Sequence, residues 1–268
     1  MPKAKKLNPY FLLAGLVFIL ILVVGYFYLY KPQIKNSEML EGEGIYTVST
    51  QTVNYFENSQ GFLAKPQQEG NYPGVVMIHE WWGLNDNIKD MAKQLAGEGY
   101  VVLAVDLYEG KIATTSDEAR QYVSSLDQEK ALENMKAATS YVKSQGSTKV
   151  ASLGWCFGGG QSLQLALNEP LDATVIYYGN LVTNETRLDV VEWPVLGIFG
   201  DQDTSIPVET VNEFDVALED LNIENEIYIY PGVGHAFANP SGMNYAPQQT
   251  QDAWKKTVNF LDKHLKEG

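Results

Sequence analysis

Cysteine is nearly absent from this chain of 268 residues: Cys156 is the only one. An intramolecular disulfide is thereby excluded, and one Cys with three histidines (His79, His235, His264) argues against a structural zinc site. Low-complexity tracts and internal repeats are also lacking. Positive charge is scarce once the first 35 residues are set aside. Those residues hold five lysines and no acid, so the remainder carries 14 basic against 33 acidic side chains, a net of −19. Such a body is repelled by nucleic acid and by anionic lipid surfaces, which excludes nucleic acid as a partner. What is present is a globular composition, 45% apolar and 12% aromatic, at a length suited to one large α/β core.

The one long uncharged run lies at the N-terminus, where Lys3, Lys5 and Lys6 precede residues 7–30. A helix over 9–30 matches the ~30 Å hydrocarbon core of a bilayer. Tyr10 at one end and Tyr26, Tyr28 and Tyr30 at the other suit the two interfaces. A cleaved signal peptide is the rival reading, but no small-x-small site follows Tyr30. The pattern therefore predicts a membrane anchor over 1–35 with a single span at about 9–30. A polar tether over 36–43 and a folded domain over 44–268 follow. Three lysines before the span, against Lys31 and Lys35 after it, place the N-terminus in the cytoplasm and the domain outside it.

The folded part opens with strand-like segments at 45–48, 53–56 and 62–64, joined by a turn around 57–61. Strand-like and helix-like segments then alternate, which predicts an α/β fold with a mostly parallel central sheet and helices on both faces. Strands are expected at 75–78, 101–105, 149–153, 173–178, 195–199 and 226–230. Helices are expected after a cap at Asn85 or Asp86, over 117–145, after residue 160, over 208–221, and at the C-terminus. In such sheets ligands gather at the carboxyl ends of the strands.

Four of those ends carry candidate chemistry. Gly154-Trp155-Cys156-Phe157-Gly158-Gly159 reads as a nucleophile elbow, with a reactive residue between glycines at a strand-to-helix turn. A thiolate attacks carbonyl carbon, and a helix N-terminus favours the anion. His235 is placed to move the proton. Asp203 is the first candidate to fix its tautomer, with Asp201 second. The backbone N–H groups of Phe157 and Trp81 are the expected oxyanion donors. Glu80 follows the strand at 75–78. Singly, each feature also fits a structural role: a satisfied His, turn-forming aspartates, a solvated loop acid, a small buried thiol. Together they keep the order nucleophile, acid, histidine of the doubly wound hydrolases. His264 is expected on the surface of the last helix.

At this point the chain resembles the dienelactone hydrolase family of α/β-hydrolases, from about residue 44 to the C-terminus. The shared features begin with the His79-Glu80-Trp81-Trp82-Gly83-Leu84-Asn85 loop, Asp106-Leu107-Tyr108, and the Gly-x-Cys-x-Gly-Gly elbow. Tyr177-Tyr178-Gly179, the turn at 200–203 and Gly234-His235-Ala236-Phe237 complete them. The resemblance implies a Cys156-His235-Asp203 triad, with Glu80 contacting the thiol when substrate binds. It further implies hydrolysis of an ester or cyclic enol-lactone through an acyl-enzyme, with neither metal nor organic cofactor. Trp81, Trp82, Phe157, Tyr177 and Tyr178 are expected to line an apolar pocket. Family members that cleave dienelactones carry an Arg four residues after the catalytic His, where this chain has Asn239. Only Arg120 and Arg187 exist in the chain. An anionic lactone is thus a poor match, with Arg120 the one substitute grip. The membrane anchor is a second departure from the family's soluble pattern. Two other classes fit the same residues: a non-catalytic binding protein on a hydrolase fold, and a redox sensor using the lone thiol.

Overall fold

The computed structural model describes residues 44–266. The anchor expected over 1–35 and the tether over 36–43 lie outside the described residues. Within those described, no helix is long and apolar enough to cross a membrane.

The chain opens with strands β1 (Val48–Phe56), β2 (Ser59–Pro66) and β3 (Gly74–Ile78), then helix α1 (Asp86–Gly97) and β4 (Val101–Ala104). Helices α2 (Ser116–Ser124) and α3 (Gln128–Ser144) precede β5 (Val150–Trp155), α4 (Phe157–Ala166) and β6 (Ala173–Tyr177). The rest comprises α5 (Glu185–Leu188), β7 (Val195–Gly200), α6 (Val208–Asp220), β8 (Asn225–Tyr230) and α7 (Pro247–Leu261), ending in a π turn over Asp262–Lys266. The eight strands form one sheet in the order β1-β2-β4-β3-β5-β6-β7-β8. The β1–β2 and β2–β4 pairs are antiparallel, and all pairs from β4–β3 to β7–β8 are parallel.

Both faces are covered, as buried parallel strands require. Along β3, Val75 and Met77 join one core with Leu95 of α1 and Trp254 of α7. Val76 and Ile78 join the opposite core with Met135 of α3 and Leu165 of α4. Phe214 and Leu218 of α6 close over Ile176 and Phe199 on that second side. The first helix starts where its cap dictates: the Asn85 side chain accepts from the Ile88 N–H at 3.2 Å. Gly99, at φ +96°, ends it in the left-handed region.

Three expectations change. The segment 117–145 is two helices, because Asp127 caps a new one by accepting from the N–H groups of Glu129 and Lys130, both at 3.1 Å. The first strand runs unbroken over 48–56, so the turn shrinks to Glu57-Asn58. His264 is not a surface residue: its side chain is only 11% exposed and packs edge-on against Phe260, ring centroids 4.7 Å apart. The π turn carries an extra residue per turn, which shifts the helix phase and swings position 264 inward.

Glycine is required where α4 meets the sheet. A Cβ on Gly154 would stand 2.1 Å from the carbonyl oxygen of Gly158, and one on Gly158 would stand 2.4 Å from the carbonyl oxygens of Ile78 and His79. These are backbone contacts and cannot be relieved by a rotamer change. Gly158→Ala is expected to lower stability by about 1–3 kcal/mol, read as a lowered midpoint in urea melts at unchanged m-value.

Candidate active site

Cys156 stands between β5 and α4 with φ 54° and ψ −118°. That conformation is strained for a residue with a Cβ. It is held by the Cys156 N–H donating to Tyr177 O at 2.9 Å and the Gly160 N–H donating to Cys156 O at 3.2 Å. The thiol is half-buried, and Sγ lies 3.0 Å from His235 Nε2.

The other ring nitrogen, Nδ1, lies 2.8 Å from Asp203 Oδ2. Asp203 Oδ1 accepts from the N–H groups of Ser205 at 2.7 Å and Ile206 at 3.0 Å. Burial alone would raise this carboxyl, but His235 and the two amides outweigh it and hold Asp203 below the ordinary aspartate range. With Asp203 ionised, the proton between them belongs to Nδ1. Asp201 instead accepts from the Gly232 N–H at 2.7 Å, tying the β7 and β8 loops together, and does not face the imidazole. Burial alone would likewise push His235 down. Its bonds to Asp203 and Cys156, with their charges, reverse this and raise it to about 10. The imidazole is also braced by Tyr178, packed edge-on at 5.3 Å.

Glu80 is buried, and its Oε2 accepts from Asn239 Nδ2 at 2.5 Å. Asn239 Oδ1 in turn accepts from the N–H and Oγ of Ser241, at 2.9 and 2.7 Å. Asn239 therefore positions Glu80, with its carbonyl oxygen committed to Ser241 and one amide N–H to Glu80. Burial pushes Glu80 up to about 7, against the opposing pulls of His235 and Asn239. The folded state thus holds this proton more tightly than the unfolded chain, so its contribution to stability fades as pH rises towards 7 and is gone above it. Glu80→Gln keeps an acceptor for Asn239 and removes the titration. The variant's stability gain over the parent is expected to be on the order of 2 kcal/mol larger at pH 8.5 than at pH 5.5, measurable by urea melts at both values.

A cavity of about 530 Å³ opens above the thiol, lined by Glu80, Cys156, Tyr178, His235 and Asn239, with Trp81, Trp82, Val123, Phe157, Ile206 and Met243 as its apolar wall. Among the described residues, no lysine or arginine lines it. Phe157 opens α4, where the N–H has no intrahelical acceptor. Trp81 sits in a loop pinned by Gly83 N–H to Glu80 O at 3.2 Å and Ala113 N–H to Trp82 O at 2.9 Å. Two residues expected to meet substrate, Tyr177 in the wall and Arg120 as a grip, are absent from the cavity. Tyr177 is held in the core beneath α7, its hydroxyl 2.7 Å from Thr257 Oγ1, whereas Tyr178, just past the end of β6 at φ +36°, reaches the cavity. Arg120 is exposed and paired with Asp117 at 2.9 Å on its own helix, so it offers no grip on a ligand. Val123, Ile206 and Met243 were not foreseeable as wall residues, since their only signal is three-dimensional. Among the described residues, no group of three or more His, Cys, Asp or Glu is placed to hold a metal.

Residues 59–265 match the model of the dienelactone hydrolase family. A protein of Saccharolobus solfataricus, assigned by name as a carboxymethylenebutenolidase, is 33% identical over 248 residues, 75% of this chain and 93% of that protein. Protein usf of Aquifex pyrophilus is 32% identical over 218 residues, 77% of this chain and 94% of its own length. Among solved structures, one described as a dienelactone hydrolase of Klebsiella pneumoniae superposes with a TM-score of 0.73 at 25% identity. It covers 83% of this chain and 99% of its own. On fold and kinship alike, this chain is a hydrolase with an α/β-hydrolase fold and belongs to the dienelactone hydrolase family.

Proposed function

We propose that this hydrolase cleaves neutral carboxylic esters or lactones through a thioester on Cys156. The observation that carries the reading is the unbroken chain of contacts from Asp203 through His235 to the sulfur, at 2.8 and 3.0 Å. Sγ attacks the carbonyl carbon while its proton resides on Nε2. The tetrahedral oxyanion is met by the N–H groups of Phe157 and Trp81. Collapse breaks the carbon–oxygen bond, the leaving alkoxide takes the proton from Nε2, and the acyl group stays on sulfur. His235 then draws a proton from water as it attacks the thioester; collapse of the second tetrahedral intermediate breaks the carbon–sulfur bond, releases the acid and returns the proton from Nε2 to sulfur. Asp203 keeps Nδ1 protonated throughout, so Nε2 alone exchanges protons.

The aromatic wall and the lack of a lining cation favour an uncharged, apolar acyl group. Asn239, bonded to Glu80 and Ser241, is neutral and offers a carboxylate no charge-assisted grip. We further read residues 9–30 as the membrane span, with the hydrolase domain outside the cytoplasm.

The mechanism is tested by mixing the full chain with excess p-nitrophenyl acetate, quenching in acid and mapping the mass gain. An acetyl group on the Cys156 peptide is expected; rapid turnover with no acyl adduct at residue 156 would sink the mechanism. For substrate charge, kcat/KM for a neutral aryl ester should exceed that for its carboxylate-bearing analogue by at least about 10-fold, the scale of one missing charge-assisted pair. Membrane fractionation and protease protection of intact cells test the anchor.

A further inference from the structure

His79 takes no part in the proton path described above, yet it is fully buried and stacks on Phe157, the residue after the nucleophile. Its Nε2 accepts from the Leu107 N–H at 3.2 Å, so that nitrogen carries no proton. The ring proton must then sit on Nδ1, which donates to the carbonyl oxygen of Glu80 at 2.6 Å. Burial drives the ring towards neutrality, which suits one donor and one acceptor. The same carbonyl also takes the Gly83 N–H, so it is held from two sides.

That carbonyl belongs to the peptide whose N–H is Trp81. There are no cis peptides among the described residues, and in a trans unit C=O and N–H point in opposite directions. Fixing Glu80 O below the cavity floor therefore aims the Trp81 N–H up into the cavity. The imidazole also stacks on the ring of Phe157, centroids 6.0 Å apart at an interplanar angle of 28°. One neutral ring thus contacts the peptide unit that carries the Trp81 N–H, through Glu80 O, and the ring of Phe157.

We propose that His79 is a positioning residue that sets the oxyanion hole, by holding the Glu80–Trp81 peptide plane and seating Phe157. This rests on the reading of those two amides as the oxyanion donors. The ring touches neither substrate nor sulfur. It acts through the direction of an N–H, which matters only once negative charge develops on the carbonyl oxygen.

The test uses the full chain, with His79→Phe keeping a stacking ring without the hydrogen bond and His79→Asn keeping an N–H donor within reach of Glu80 O. For His79→Phe, kcat on p-nitrophenyl acetate is expected to fall about 100-fold with KM within about 3-fold. Affinity for a short aldehyde, which adds to the thiol as an oxyanion mimic, should weaken by the same factor. Alkylation of Cys156 by iodoacetamide, which develops no oxyanion, should change by less than about 3-fold. His79→Asn should recover about 10-fold of the lost kcat. Unchanged kcat and aldehyde affinity overturn the proposal, as does alkylation that falls in step with kcat, or an Asn variant no better than the Phe one. Nitrogen chemical shifts of the parent provide a readout that needs no variant: a neutral, Nδ1-protonated ring at residue 79 from pH 5 to 9 is required. A cationic or Nε2-protonated ring there overturns the proposal. Absence of acylation and aldehyde binding at Cys156 in the parent would instead remove the functional reading, whatever the tautomer of His79.

Discussion

Cys156→Ala is expected to lower turnover of short esters by at least about 10⁴-fold, the scale seen when a nucleophile that acts as a unit with its base is removed. The substitution deletes the one atom within 3.0 Å of His235 Nε2 and leaves the rest of the elbow in place. Ala retains a Cβ, so the backbone keeps its φ of 54° and the associated strain. The melting temperature should therefore stay close to that of the parent, which separates lost chemistry from lost fold. Cys156→Ser is the sharper control. Its hydroxyl occupies nearly the same position but is a far poorer nucleophile with this base, so activity should recover only slightly. Steady-state kinetics beside thermal melts of the three proteins would check both statements. Wild-type activity in the Ala variant would exclude the thiol mechanism outright.

Asp203→Asn should be nearly as damaging, lowering kcat by about 10³- to 10⁴-fold. The amide can still accept from Ser205 and Ile206 through Oδ1, so the loop is retained. At the other oxygen, however, an NH₂ would replace the acceptor that faces Nδ1 at 2.8 Å. The imidazole must then protonate Nε2 instead, and it can no longer accept the thiol proton. The pH dependence supplies a second signature. In the parent, His235 is raised to about 10 with help from Asp203, so the alkaline limb of the rate profile should appear near that value. Without the Asp203 charge the imidazolium loses support, and the limb should move to lower pH. A variant with parental activity, or with an unmoved alkaline limb, would place the acid elsewhere.

Much of this site could be read from strand ends. Cys156, Asp203 and His235 each follow an apolar run, and the parallel sheet converts three distant runs into three adjacent loops. Helix α1 was equally legible, because a cap at Asn85 and a glycine at 99 bound its apolar stripe. The break between α2 and α3 was less so: the helical periodicity continues through 125–127 without Pro or Gly, and only the Asp127 side chain shows that a second helix begins. Tyr177 and Tyr178 are adjacent in the chain and pack edge-on at 6.0 Å in the same core, yet only Tyr178 lines the cavity, and composition cannot tell which one does. Asn239 looked like a lost anion grip. Its actual link to Glu80 joins residues 159 apart in the chain, a pairing no local pattern encodes. The inward turn of His264 depends on a π turn whose signal is equally invisible in the sequence.

The 79 residues separating the sulfur from its imidazole have a consequence for biosynthesis. At roughly 5–20 residues per second, a nascent chain displays residue 156 for several seconds before residue 235 has been assembled, and longer before the tunnel releases it. Throughout that interval the thiol has no imidazole to take its proton. Reactivity is thus withheld from the ribosome-bound polypeptide and switches on only when the last strand joins the sheet edge. A truncated product ending before β8 would lack the imidazole and turn over no ester, however well its earlier portion had collapsed.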